Sequence, residues 1–134
     1  MSERVGVLVV THGDSGRAML DAVERLVGHA AIEAFEAVTI TPGEARGLIA
    51  ARVVDAVRRL DRGGGVLILC DLYGSTPWSC CMEARGADGV VLCGVNLPMI
   101  VKLASVPLEG TTAARLAQIG AETALKSIRS GDGR

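Results

Sequence analysis

Residues 7–19 read VLVVTHGDSGRAM, an apolar, β-branched run cut off at Thr11-His12-Gly13 and followed by helical spacing. The run begins at Val5 and is apolar almost throughout, as expected of a strand covered on both faces of a parallel sheet. Downstream, Met19, Leu20, Val23, Leu26 and Val27 recur at the period of one helix face, and Gly28 closes the stripe. A buried strand running straight into a helix is the first half of a βαβ unit.

The same alternation extends along the chain. Residues 37–40, 66–70 and 90–95 are further short β-branched runs. The stretch before residue 37 mixes apolar and acidic side chains, which suits a more exposed strand. A second helical stripe, Ile49, Val53, Val57 and Leu60, ends at Gly63-Gly64-Gly65; a last one runs through Ala113, Ala117, Ala121, Leu125 and Ile128. Four strands alternating with helices predict an α/β fold: an open, mainly parallel, doubly wound sheet with helices on both faces. The 134 residues suffice for one domain, with residues 127–134 a polar tail that frays.

Composition narrows the function. Hydrophobic residues make up 49% and charged residues 22%, with one Trp, one Tyr and one Phe, so the core is aliphatic. Fourteen basic and fifteen acidic side chains give a net charge of −1 with no block of either sign, which argues against nucleic acid as a partner. No apolar run reaches membrane-spanning length and the polar start is unlike a signal peptide, so no direct membrane insertion and a cytoplasmic location are expected. The four cysteines form no Cys-x-x-Cys pair, and neither His12 nor His29 lies at metal-binding spacing from them. Reduced thiols, no metal and no cofactor are the expectation.

Ligands of an open parallel sheet gather at the carboxyl ends of its strands. Those ends carry Thr11-His12-Gly13, Thr41-Pro42-Gly43-Glu44, Asp71-Leu72-Tyr73-Gly74-Ser75-Thr76-Pro77 and Gly94-Val95-Asn96-Leu97-Pro98. Gly74 permits an unusual turn, and Thr76-Pro77 reads as helix N-cap and first helical residue. Free N–H groups of Gly74, Ser75 and Thr76 would then cradle an anion at a helix N-terminus. Asn96 and Pro98 repeat the cap-and-proline pattern. If the first and third strands are neighbours, Asp71 reaches His12, fixes its tautomer and makes the other ring nitrogen a nucleophile. A phosphoryl group is the natural electrophile beside such a cradle. Singly, His12 also reads as a solvated strand end and Asp71 as a turn residue. Tyr73 and Trp78 are either packing residues or a docking surface. His29 suits a helix C-terminal dipole, and Arg17 either faces an incoming phosphate or is solvated.

The four loop motifs, in order through nearly the whole chain, resemble the IIA component of the mannose-family sugar phosphotransferase system. The resemblance implies that His12 is phosphorylated by phospho-HPr and passes phosphate to a IIB component, with Asp71 as its hydrogen-bonding partner. Gly13, Gly74, Ser75 and Thr76 would bind phosphate, and Tyr73, Trp78, Asn96, Pro98 and Met99 would meet partners. It also implies a homodimer joined through an antiparallel edge strand, and membrane IIC and IID components reached only indirectly. Ser75 stands where the family often has glycine. No fused IIB segment is read, so a separate IIB protein is the expected acceptor. Other readings remain: a regulatory phosphohistidine sensor without transport, a receiver domain phosphorylated on Asp71, and a flavodoxin-like cofactor binder. The receiver would need an acidic pair after strand one, where this chain has Thr11-His12.

Overall fold

The computed structural model describes residues 3–132. Strands β1 (Gly6–His12), β2 (Phe35–Ile40), β3 (Val66–Cys70) and β4 (Val90–Cys93) form one sheet in the order β2-β1-β3-β4, every pairing parallel. Helices α1 (Ser15–Val27), α2 (Arg46–Leu60), α3 (Thr76–Ala84), α4 (Leu97–Ala104) and α5 (Ala113–Lys126) cover it, with a 3₁₀ turn at His29–Ile32. The expected exposed strand, β2, lies at the sheet edge.

Side-chain alternation along β1 divides the core in two. Val5, Val7 and Val9 pack with residues of α1, α4 and α5, whereas Leu8 and Val10 pack with residues of α2 and α3. β3 repeats this, sending Leu67 and Leu69 to one face and Val66 and Ile68 to the other. Period-two alternation of purely apolar residues is what a doubly covered strand requires. The connections from β1 run outward to β2 on one side, while β3 takes the other. The chain therefore reverses direction across the sheet between β1 and β3, which sets a crevice at their carboxyl ends.

Three helix expectations are corrected. The cap of α3 is Ser75, whose Oγ accepts from the Trp78 N–H at 3.3 Å; Thr76 and Pro77 already lie inside the helix. The buried side of α5 is Ala113, Leu116, Gly120 and Ala124, leaving Leu125 and Ile128 exposed at 72% and 79%. In α1, Leu26 and Val27 are exposed as well. No antiparallel edge strand occurs among the described residues, where the antiparallel pairing found is an isolated bridge between Arg4 and Glu109. Helix α5 ends at Lys126, and residues 127–132 of the polar tail are non-helical; residues 133 and 134 lie outside the described residues. All four cysteines are free, and Cys70, Cys80 and Cys81 are buried.

Candidate functional site

β1 delivers His12 to the crevice through a turn fixed by its buried neighbour. The Thr11 side chain is fully buried, and its Oγ1 accepts from the Gly16 N–H at 2.8 Å and donates to the Gly13 carbonyl at 3.2 Å. The N-cap Asp14 makes no side-chain bond, so Thr11 supplies the capping acceptor for α1. Gly16 must be glycine here, because a Cβ would lie 2.9 Å from Thr11 Oγ1 and 3.0 Å from a Val9 methyl. Gly13 turns the chain with φ 65° and donates its N–H to the Ile40 carbonyl at 2.8 Å.

β3 ends one residue before Asp71, and the two strand ends meet. Asp71 Oδ2 accepts from the His12 backbone N–H at 2.9 Å, and Oδ1 accepts from the Leu72 N–H at 2.9 Å. His12 Nδ1 lies 3.1 Å from both carboxylate oxygens. An ionised carboxylate can only accept, so in the neutral ring this contact favours the tautomer with the proton on Nδ1 and the lone pair on Nε2. The two side chains remain 44% and 22% exposed, which leaves the ring open to an incoming group.

Gly74, with φ 79° and open space around it, leads into the α3 cap. The Ser75 N–H is directed at the Leu72 carbonyl at 3.4 Å and its Oγ donates to the same carbonyl at 2.8 Å. Within the expected cradle, the Ser75 N–H is therefore already engaged, if loosely. A cleft of about 340 Å³ beside His12 is lined by Gly13, the 40–44 segment, Ile49, Thr76 and Pro77.

The expected docking residues fall into two groups. Tyr73 is 80% exposed and its ring centroid sits 4.8 Å from that of Trp78 at 47°. Leu72 beside it is exposed too. Asn96 instead caps α4, accepting from the Met99 N–H at 3.0 Å, with Pro98 exposed in the first turn. Met99 is corrected: its side chain is buried in the core and has no surface to offer a partner. His29 pairs with Glu24 at 3.0 Å, and Arg17 is exposed. Among the described residues no cluster of His, Cys, Asp or Glu is arranged to hold a metal, and no helix is long and apolar enough to cross a membrane.

Two contributors stand in the strand-end motifs but had no role assigned to them from the sequence. Thr11 shapes the His12 turn, and Glu44, gripped by Arg52, shapes the turn after β2. A hydroxyl ending a buried run was the available signal for the first; the spacing Glu-x₇-Arg was too common to flag the second.

Comparison with known proteins follows the same lines. Residues 6–120 match the family model EIIA-man, described as PTS system fructose IIA component. The chain is 28% identical over 101 residues to Escherichia coli K12 YadI, named as a candidate phosphotransferase enzyme IIA component, covering 74% of this chain and 68% of that one. It is 23% identical over 128 residues to the mannose-specific EIIAB component of the same organism, covering 94% of this chain but only 39% of the longer protein. The mannose/sorbose-specific IIA subunit from Enterococcus faecalis shares the fold, with a TM-score of 0.82 at 24% identity over 95% of this chain and 94% of the subunit. With the family model spanning both strand ends and the loops between them, the chain belongs to the EIIA-man family of phosphotransferase-system IIA components.

Proposed function

We propose that this chain is a phosphoryl carrier that takes phosphate from phospho-HPr on His12 Nε2 and passes it to a separate IIB component. The observation that carries the reading is the approach of both Asp71 oxygens to His12 Nδ1 at 3.1 Å, which leaves Nε2 as the free nucleophile. In each transfer the Nε2–P bond forms as the bond from phosphorus to the donor breaks, or the reverse. The Nδ1 proton stays on the ring, and Asp71 offsets the positive charge that develops there.

Charge on the phosphoryl oxygens falls beside Gly13 and the turn 74–76 at the α3 N-terminus. The backbone N–H groups of Gly74 and Thr76, with the helix dipole behind them, stabilise it there, since those of Gly13 and Ser75 are already engaged; this is most of what phosphoryl transfer asks of a protein. The glycines at 13 and 74 keep side chains out of that approach. Exposed Leu72 and Tyr73, with Trp78 behind, provide the apolar rim on which the partner proteins dock. The carrier works in the cytoplasm, reaches membrane components only through IIB, and pairs as a homodimer. The half-buried, unpaired outer edge of β4, with Leu125 and Ile128 exposed, supports that last point.

Labelled phosphoenolpyruvate, Enzyme I and HPr, followed by peptide mapping, test the reading. Label is expected on His12, acid-labile and base-stable, and absent from His12→Ala. Label persisting on His12→Ala, or stable to acid, overturns it.

A further inference from the structure

Glu44 has no part in the proposed transfer chemistry, yet its side chain is only 5% exposed. The turn 41–44 has Pro42 at its second position and Gly43, with φ 76°, at its third, and closes with the Glu44 N–H on the Thr41 carbonyl at 3.2 Å. Glu44 Oε1 reaches back to accept from the Thr41 N–H at 3.1 Å and the Thr41 hydroxyl at 3.2 Å. From α2, Arg52 Nη1 donates to Oε1 at 3.1 Å, to Oε2 at 2.8 Å, and to the Thr39 carbonyl on β2 at 2.9 Å. The turn is thus tied to its own start, to the helix after it and to the strand before it. These hydrogen bonds, from Arg52 first and the Thr41 backbone next, hold the Glu44 carboxyl below its usual range.

The clamped segment faces His12. Four of the ten residues lining the cleft, 41 to 44, belong to it, and Ile40 before it is a fifth. It is also wired to the first loop, since Gly13 donates to the carbonyl of Ile40, the residue just before the turn. α2 has no side-chain cap of its own, so a purely structural role for Glu44 would be to steady that helix start. Two features point further. A helix start needs neither the Thr39 bond nor the wall of the His12 cleft, and the carboxylate and guanidinium bind the wall directly.

We propose that Arg52 and Glu44 are positioning residues that hold the 41–44 turn as the wall against which the phosphoryl-bearing loop of a protein donor is seated. The inference rests on the phosphoryl-carrier reading above. Its experiment uses the full chain with Enzyme I and phospho-HPr. Arg52→Met is expected to raise KM for phospho-HPr by roughly tenfold while kcat changes by less than about twofold, because ground-state seating is what is lost. Arg52→Lys keeps the charge but not the shared donor geometry and is expected to fall between. Arg59→Met is the control. Arg59 lies on the same helix and pairs with Glu36 at 2.9 Å, away from the cleft, so KM should stay at the wild-type value. Glu44→Gln, which keeps the size of the side chain, serves if Arg52→Met fails to fold.

An unchanged KM in a folded Arg52 or Glu44 variant overturns the proposal, and so does an equal rise in Arg59→Met. If wild-type protein takes no phosphate from phospho-HPr, the carrier reading fails on its own. The clamp is then judged by amide NMR. Displaced Gly13 and Gly43 resonances in Arg52→Met, with Arg59→Met unaltered, support the wall, and unmoved resonances overturn it.

Discussion

At the scale of single residues, the His12 turn depends on a side chain that never touches the His12 ring. Thr11 is an otherwise isolated polar group in a strand of valines and leucines, and both of its hydrogen bonds are local. Thr11→Val keeps the shape and removes both, stranding the Gly16 N–H at the start of α1 in the buried interior. The expected loss is about 1–3 kcal/mol, read by urea denaturation, since an unpaired buried donor costs most of its desolvation. A variant as stable as wild type would show that water or another acceptor replaces the hydroxyl. His12 and Asp71 were legible in the sequence because each terminates a buried run, so topology alone brings them together. The pairing of Glu44 with Arg52 was not. Their meaning lies in the turn that puts a carboxylate under a guanidinium eight residues on, and no periodicity marks that.

The elements read unevenly for a related reason. β3 matches its apolar run, residues 66–70, because continuous burial leaves little ambiguity about where a covered strand lies. In α5, by contrast, the apolar stripe Ala113, Ala117, Ala121 and Leu125 advances in steps of four. Each such step overshoots a full turn by about 40°, so Leu125 rotates off the face that begins at Ala113. The buried set 113, 116, 120 and 124 mixes steps of three and four and stays on the core. Small residues carry much of that face, and a scan for large apolar side chains passes over Gly120. Close contact between elements is similarly hidden in glycine. A Cβ on Gly6 would stand 2.7 Å from the Leu60 carbonyl, where the end of α2 crosses the start of β1. Gly6 has no positive φ, so Gly6→Ala isolates contact from backbone strain. It is expected to destabilise by roughly 1–3 kcal/mol through overpacking, read as a lower thermal midpoint. A neutral or raised midpoint would mean that α2 slides away freely.

The whole molecule was legible as a doubly wound sheet, and with it the crevice between β1 and β3, because sheet topology follows from four buried runs and short connections. Its response to pH was not, since that depends on ion pairs between side chains whose positions only the folded chain defines. Two of them pull in opposite directions. Glu24, by hydrogen bond first and charge second, with Glu33 adding to it, raises the His29 pKa above 6.5. The folded state then binds that proton more tightly than the unfolded chain does. The contribution is complete below pH 6.5 and fades as pH climbs through the raised value. Glu44 is the mirror case. Arg52 and Thr41 lower its pKa beneath 4.5, so its contribution is complete above pH 4.5 and fades as pH falls through the lowered value. Both are present together between pH 4.5 and 6.5, and their contributions to the thermal midpoint should fade outside that window, that of His29 on the alkaline side and that of Glu44 on the acid side. Glu24→Gln is expected to flatten the alkaline decline just above pH 6.5 and leave the acid side alone. Glu44→Gln should flatten the acid side and leave the alkaline side alone. His29 is highly exposed, so added salt should shrink the alkaline limb, whereas the nearly buried Glu44 carboxylate should keep the acid limb at the same salt concentration. If each substitution altered both limbs equally, the two pairs would not be the groups that set the window.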